Sequence, residues 1–204
     1  DVAESLERCG FSVLALHGDL DQRERDEMLV RFANHSCTVL VATDVAARGL
    51  DIKELPLVVN FEVASDADAH THRIGRTGRA GAQGLALTLF TPRDAGRINS
   101  IEANLGRSLP KVPLPRVQGK PLPLLGTHLT LAVDGGRADK LRPGDLLGAL
   151  TGTAGLPADA VGKIDIFPTR SYVAITRSHA DIALHRLRDG KIKGRSFRVR
   201  RIGH

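Results

Sequence analysis

Arginine recurs at every third position of residues 72–79, which have the sequence HRIGRTGR. A spacing of three places side chains along one stripe of a helical path. The next acidic residue after Asp68 is Asp94, so the sequence supplies no nearby carboxylate to neutralise this stripe. Arginine clusters bind phosphate in forked geometry and stabilise charge that develops on a transferring phosphoryl group, so the segment predicts a phosphate-directed site. The alternative is a solvated basic face, which the two glycines argue against because they let the backbone approach a ligand closely.

A second polar segment, residues 43–51, follows directly on an apolar run and has the sequence TDVAARGLD. Open parallel sheets bind ligands at the carboxyl ends of their strands, which is where this segment would lie. Thr43 and the amide of Gly49 could hold a backbone phosphate, and Asp51 could accept a hydrogen bond from a ribose hydroxyl. The alternative is an ordinary loop that Thr43 or Asp44 caps, and the segment alone does not decide between the two.

A third segment, residues 17–25, also follows an apolar run and precedes a helical pattern. In isolation it is an acidic helix N-terminus, which the helix dipole favours. In order and spacing, however, the three segments together resemble the second RecA-like domain of the DEAD-box RNA helicases. Residues 22–25 match the Q-x-x-R element of that family, residues 43–51 match its motif V, and residues 72–79 match its motif VI.

This resemblance implies a role for each matching residue. It implies two catalytic arginine fingers that reach the phosphates of ATP across an interdomain cleft, Arg76 and Arg79. It further implies residues beside the attacking water or the nucleotide ribose, namely His72, Gln22 and Asp51. The residues that would contact the RNA backbone or couple it to the ATP site are Thr43, Arg48 and Gly49.

The sequence contains neither of the family's two elements that bind ATP and Mg²⁺ most directly. There is no G-x-x-x-x-G-K-[ST] loop to cradle phosphates and no D-E-A-D tetrapeptide to hold Mg²⁺. In the family these elements belong to a first RecA-like domain, and an apolar strand with motif IV precedes the first helix seen here. We therefore expect a fragment whose second RecA-like domain is clipped at its start and whose ATP and Mg²⁺ are held mainly by the missing first domain.

The remaining pattern divides the chain into three parts. In residues 1–109, apolar runs at 12–16, 38–42, 57–60 and 85–90 alternate with helical patterns, which predicts a parallel α/β sheet covered on both faces. Residues 110–125 hold five of the ten prolines and predict an extended linker. Residues 126–204 predict the order βαββαβ, with strands at 129–133, 164–166, 172–175 and 197–202 and helices at 143–150 and 179–187. This order is typical of a small α+β domain like the RNA recognition motif.

The charge is distributed unevenly over these parts. Residues 1–109 are net −4, residues 110–125 net +3 and residues 126–204 net +7, so the basic surplus lies at the C-terminal end. Such asymmetry favours a nucleic-acid-facing module joined to a part of another kind. The C-terminal part is similar to that of the bacterial DbpA family, on the segments VDGG at 133–136, RPGD at 142–145, LGALTG at 147–152 and GKIKG at 190–194. This likeness implies a structured large-subunit ribosomal RNA hairpin as partner and a role in ribosome assembly; the alternative is a cold-shock DEAD-box helicase with another RNA target.

RNA binding by the C-terminal part must depend on cations. Aromatic residues make up 3% of the chain, and the two central strands of this part contain only Tyr172. Tyr172 either stacks on a base or packs as an ordinary sheet residue. The candidate RNA-binding residues are Arg137, Lys140, Arg142, Lys191, Lys193 and Arg195, followed by Arg198, Arg200 and Arg201. If these cations do not bind RNA, the sheet face around Arg170 and Tyr172 is the next candidate.

Two classes of function remain open from the sequence. The chain either completes an ATPase when a first RecA-like domain closes on it, or it serves as a stand-alone RNA-binding module. The aligned motif VI arginines favour the first. Cys9 and Cys37 have no metal-ligand spacing, and His70 and His72 have no third ligand, so no metal site is expected. Two reduced thiols and no apolar run long enough to span a membrane favour a cytoplasmic protein.

Overall fold

The computed structural model describes residues 1–47, 52, 55–78, 83–116, 119, 122, 124–153 and 155–203. The chain forms two compact units, and the first of them draws on both ends of the chain. It comprises Asp1–Ala46 together with Lys120–His204, whereas the second comprises Ala47–Gly119. These two units do not correspond to the parts that the sequence predicts on either side of the linker. The predicted domain boundaries at 109 and 126 therefore stay a prediction.

In the first unit, the N-terminal segment forms a two-stranded parallel sheet with three helices. Strands β1 (Val13–Leu16) and β2 (Val39–Ala42) pair in register, with Leu16 opposite Ala42. The helices are α1 (Val2–Arg8), α2 (Gln22–Ala33) and α3 (Asp44–Ala47). Helix α2 begins within the segment 17–25, which the sequence marks as a helix N-terminus. The Asp21 carboxylate accepts from the Glu24 amide there, and the Glu24 carboxylate accepts from the Asp21 amide.

The second unit contains another parallel strand pair and two helices. Strands β3 (Leu57–Asn60) and β4 (Leu85–Thr88) pair in parallel, and the helices are α4 (Ala67–Ile74) and α5 (Ala95–Leu105). Its small core gathers Val63, Ile98 and Ile101 between the helices. The parallel pairing predicted for residues 1–109 is confirmed in both pairs, but the described residues place them in two separate two-stranded sheets and not in the one sheet that the sequence predicts.

The sequence predicts that both faces of the parallel sheet are covered by other elements. In the β3–β4 sheet this is not so, because four of its side chains are exposed: Leu57, Val59, Leu85 and Leu87. A two-stranded sheet with few elements packed on it cannot shield both faces from water.

The C-terminal part of the first unit is a four-stranded antiparallel sheet in the order β6-β7-β5-β8. Its strands are β5 (His128–Val133), β6 (Val161–Ile166), β7 (Ser171–Thr176) and β8 (Val199–Ile202). Helices α6 (Pro143–Thr151) and α7 (Ala180–Asp189) complete the predicted βαββαβ order, which is confirmed. Between them and one face of the sheet lies the largest core, which includes Leu131, Leu146, Leu150, Val173 and Leu187.

The opposite face of this sheet is covered as well. Val30 of α2 packs against Ala132, Tyr172 and Ile202 there, and all four side chains are buried. The N-terminal and C-terminal segments of the first unit therefore share a second core. None of the helices within the described residues is long and apolar enough to cross a membrane.

Candidate nucleotide and RNA sites

Thr43 lies at the carboxyl end of the β1–β2 pair, where motif V begins. Its amide donates to the Leu16 carbonyl at 3.2 Å, so it continues the strand pairing for one more step. Its exposed hydroxyl accepts from the Ala46 amide at 3.4 Å and thereby caps the short helix α3. This is the cap that the sequence allowed, and contact of Thr43 with RNA remains a prediction.

The two ends of the Q-x-x-R element do different things. The exposed Gln22 amide donates to Asp26 one turn along α2, at 2.7 Å. The Arg25 guanidinium donates to the Ala46 carbonyl at 3.1 Å and so ties α2 to the start of motif V. Sequence analysis assigned no role to Arg25. Its place in the Q-x-x-R match was the only signal, because the contact joins segments twenty-one residues apart.

Helix α4 positions the first half of motif VI in the second unit. The Asp66 carboxylate caps this helix by accepting from the Ala69 amide at 2.8 Å. That hydrogen bond and one from the Ser65 hydroxyl hold the pKa of Asp66 below its ordinary value. His72, on the same helix, is exposed to solvent.

Arg73 and Arg76 of motif VI do not share one helical stripe. Helix α4 ends at Ile74, so Arg76 lies in the turn beyond it, where its backbone carbonyl accepts from the Leu55 amide at 3.0 Å. The neighbouring Thr77 hydroxyl donates to the Leu55 carbonyl. Arg73 on the helix donates to the Glu62 carbonyl at 2.8 Å. Because the helix ends before Arg76, the three-residue spacing ceases to be a helical repeat there.

Four of the predicted site residues, Arg48, Gly49, Asp51 and Arg79, lie outside the described residues. Their roles stay predictions. Gln22 and Thr43 belong to the first unit, and His72 and Arg76 belong to the second.

His70 is a packed histidine on helix α4. It is 4% exposed, and burial together with the nearby Arg73 lowers its pKa. A lowered pKa favours the neutral form of the ring at this buried position. Within the described part of the chain, no group of three or more His, Cys, Asp or Glu residues is placed to hold a metal ion.

The two cationic stretches of the C-terminal part lie side by side. A tight turn at 192–195 reverses the chain, with Lys193 and Gly194 both at positive φ. The Lys193 ammonium donates to the Lys140 carbonyl at 2.9 Å, and Arg195 pairs with Asp139 at 2.9 Å. Residues 137–142 and 191–195, more than fifty positions apart, thus form one surface.

An open groove of about 690 Å³ runs along this surface. The cations that line it are Arg137, Lys140, Arg142 and Lys193, and the apolar part of its lining includes Leu141, Ile164 and Ile166. The groove adjoins Pro143, the first residue of α6, so the positive end of that helix dipole adds to the field of the side chains. Asp145 lies 3.7 Å from Lys193 and offsets part of that charge. The arrangement suits phosphates more than a flat base.

Three other predicted cations are paired with carboxylates. Arg170 lies 3.7 Å from Asp134, Arg200 lies 3.2 Å from Glu27, and Arg201 pairs with Asp181. Lys191 and Arg198 are exposed. Tyr172 is 2% exposed, which matches the packed alternative and places its ring out of reach of a base while α2 covers it.

Two different family models match the part of the chain with the helicase motifs and the part with the basic groove. The family model described as "Helicase conserved C-terminal domain" matches residues 1–81. The family model described as "DbpA RNA binding domain" matches residues 130–201. The first match contains the Q-x-x-R, motif V and motif VI segments, and the second contains the groove.

The proteins that this chain resembles include DEAD-box proteins and an RNA helicase. The chain is 52% identical to the ATP-dependent RNA helicase DbpA of Escherichia coli over 98% of its own length and 43% of that protein. A crystal structure of a DEAD-box protein from Methanococcus jannaschii matches at 36% identity and TM-score 0.50, over 52% of this chain and 30% of that one. Escherichia coli SrmB, another DEAD-box protein, matches at 34% identity and TM-score 0.51, over 57% of this chain and 74% of that one.

The chain therefore belongs to the DEAD-box RNA helicase family, and within it to the branch that carries the DbpA RNA-binding domain. It spans less than half the length of the Escherichia coli relative.

Proposed function

We propose that this chain supplies the C-terminal part of an ATP-dependent RNA helicase that acts on a structured large-subunit ribosomal RNA hairpin during ribosome assembly in the cytoplasm. The observation that carries the proposal is the joining of two stretches, 137–142 and 191–195, into one basic groove on a chain that also bears the helicase motifs. RNA would bind in the groove while the motif VI arginines act on ATP.

ATP is the substrate in this proposal, with Mg²⁺ bound mainly by a first RecA-like domain. This chain would contribute the guanidinium of Arg76, whose backbone carbonyl accepts a hydrogen bond from the Leu55 amide. A fork of N–H donors aimed at the transferring phosphoryl group stabilises the negative charge that develops there. Arg79, His72, Gln22 and Asp51 keep the roles that the family resemblance implies.

RNA recognition in this proposal is electrostatic and shape-dependent. Four cations line one groove beside a helix N-terminus, and the release of condensed counterions from RNA phosphates drives binding there. A folded hairpin presents phosphates at fixed spacing, so it binds more tightly than an unstructured strand that must first be ordered. Thr43, Arg48 and Gly49 would contact the backbone of the strand being unwound.

We expect the 204-residue chain alone to bind a ribosomal RNA hairpin without hydrolysing ATP. The physical reason is that the sequence contains no phosphate-binding loop and no D-E-A-D carboxylates to hold Mg²⁺. Fluorescence anisotropy with a labelled hairpin measures binding, and phosphate release with and without that RNA measures turnover. RNA-dependent phosphate release by the purified chain would contradict the proposal that ATP and Mg²⁺ are held mainly by a first RecA-like domain. Absence of hairpin binding at low salt would contradict the proposed RNA site.

A further inference from the structure

Arg195 differs from the cations of the basic groove because its guanidinium is already engaged within the protein. It donates to the Asp139 carboxylate at 2.9 Å and to the Asp139 carbonyl at 3.4 Å. Its guanidinium carbon also lies 5.2 Å from the centroid of the Phe197 ring, over the face of that ring. Two hydrogen bonds and a cation–π contact thus act on one side chain, and all three partners belong to this chain.

The cations beside Arg195 are not engaged in this way. Among the described residues, the side chains of Lys140, Arg142 and Lys191 form no hydrogen bond and no ion pair. Lys140 and Arg142 line the groove, whereas Arg195 and Asp139 are not among its lining residues. The groove therefore offers cations that are free to meet phosphates, and Arg195 is directed at the loop that carries two of them.

The ring under Arg195 is a fixed support. Phe197 is partly buried and packs against the largest core of the module. A Cβ atom on Gly135 would collide with this ring, so the ring lies directly against the backbone of Gly135. Phe197 therefore has little freedom to move, and the guanidinium that lies over it is held in place relative to the sheet.

Asp139 connects Arg195 to the loop 136–141. One oxygen of its carboxylate accepts from the Gly136 amide at 3.1 Å and closes the turn, while the other accepts from Arg195. Lys140, the next residue, has a φ of 61°, which a side-chain-bearing residue adopts only when its surroundings hold it there. The Lys193 ammonium supplies a second hold by donating to the Lys140 carbonyl. The shape of the loop thus depends on contacts from the stretch 191–195.

We infer that Arg195 is a positioning residue for RNA binding, which acts through Asp139 to hold the loop 136–141 in the shape that presents its cations to phosphates. The inference rests on the proposed function for the identity of the ligand as RNA. A loop that is ordered before binding loses less conformational entropy when RNA binds, so positioning increases affinity without a direct contact. Asp139 thereby favours RNA binding although it is a carboxylate beside a phosphate site.

Replacing Asp139 by asparagine separates this role from a direct contact by the sign of the effect. Removing a carboxylate from a surface that binds RNA ordinarily raises affinity, because repulsion of the phosphates is removed. If Asp139 anchors Arg195, Asp139→Asn should instead lower the affinity for a labelled large-subunit ribosomal RNA hairpin by about fivefold. Asparagine keeps an oxygen that can accept from the Gly136 amide, so the turn itself retains its hydrogen bond.

The matched control for this change is Asp159→Asn. Asp159 is an exposed carboxylate of the same module, and its replacement removes the same charge. We expect this variant to bind the hairpin no more weakly than the parent. Fluorescence anisotropy measures both affinities, and far-UV circular dichroism establishes that each variant is folded. Binding by Asp139→Asn as tight as that of the parent, or tighter, would overturn the positioning role.

Salt dependence distinguishes Arg195 from a cation that touches phosphate. Its side chain is 58% exposed, so direct contact with RNA is the alternative. We expect Arg195→Gln to lower hairpin affinity by about fivefold with an unchanged slope of log affinity against log salt, since no phosphate contact is lost. Lys140→Gln should flatten that slope by about one unit. A slope flattened equally in both variants would assign Arg195 to phosphate binding and overturn the inference.

Two further variants sharpen this comparison. Arg97 pairs with Asp94 in the other unit, and its side chain is 52% exposed, so Arg97→Gln removes a similar ion pair away from the groove. Its affinity and slope should equal those of the parent. The double variant of Asp139→Asn and Arg195→Gln should bind no more weakly than either single variant, because both act through one contact. Additive losses would contradict a shared contact.

Hydrogen exchange tests the loop without RNA. The amides of Lys140 and Leu141 donate to the carbonyls of Arg137 and Gly136 within the loop. We expect both amides to exchange faster in Arg195→Gln, measured by NMR, and to exchange as in the parent in Arg97→Gln. Unchanged exchange in Arg195→Gln would overturn the positioning role. If the parent chain binds no hairpin, the proposed function fails, and this measurement alone decides whether Arg195 holds the loop.

Discussion

Replacing Arg76 by alanine should lower ATP turnover by about 10³-fold or more in a protein that contains both RecA-like domains. Such a protein can be made by joining this chain to the N-terminal part of Escherichia coli DbpA that it does not cover. The large effect follows from the role of an arginine finger, which stabilises charge present only while the phosphoryl group is transferred. Arg76→Lys should recover little of the loss, because an ammonium lacks the forked donors of a guanidinium.

The control for this prediction is Arg93→Ala, an exposed arginine in the same unit that lies outside the three motifs. We expect its turnover to equal that of the parent, since an exposed arginine contributes little. RNA affinity should be nearly the same in the parent and in these three variants. Turnover of Arg76→Ala within a few-fold of the parent would show that the finger is misassigned. Arg79→Ala is predicted to behave like Arg76→Ala.

The second large effect concerns the basic groove. Lys140 and Arg142 line the groove, and Lys191 belongs to the adjoining stretch 191–195. All three are exposed, and changing them together to glutamine leaves in place the contacts of Lys193 and Arg195 that join the two stretches. We expect hairpin affinity to fall by about tenfold or more, a loss of at least about 1.4 kcal/mol. The slope of log affinity against log salt should flatten by about two to three units, because about one counterion is released per phosphate contact.

A matched triple variant distinguishes a specific groove from general charge. Arg8, Arg93 and Arg107 are also exposed, and their replacement by glutamine removes the same net charge elsewhere. Its salt slope should equal that of the parent. If both triple variants lose affinity alike, the chain binds RNA through its overall charge. If the groove variant binds unchanged, the RNA site must lie elsewhere, with Arg170 as the next candidate.

Local features of the fold were predictable because they depend on neighbours in sequence. The capping pair of Asp21 and Glu24 marks the start of α2, and the βαββαβ order follows from alternating apolar runs. The parallel pairing of β1 with β2 follows from their continuous apolar character. The end of α4 at Ile74 was missed because a regular spacing of arginines looks helical whether or not the chain remains a helix.

The candidate sites depended on contacts that sequence spacing does not encode. The sequence identified the cations of the groove one by one. The turn that brings Lys193 to Lys140 has a positive φ at Lys193, and sequence spacing does not reveal that conformation. Packing of Val30 against Tyr172 joins positions from opposite ends of the chain, so no local pattern predicted it. Because this contact buries the Tyr172 ring, the structure favours ordinary packing over base stacking for that residue.

The central claim is that this chain is the C-terminal part of an RNA-dependent ATPase. It is tested most directly by measuring phosphate release from the fusion with the N-terminal part of Escherichia coli DbpA, with and without a ribosomal RNA hairpin. The account predicts turnover that the hairpin stimulates in the fusion and that is undetectable in the 204-residue chain. A folded fusion that binds the hairpin but hydrolyses ATP no faster with it than without it would contradict the account.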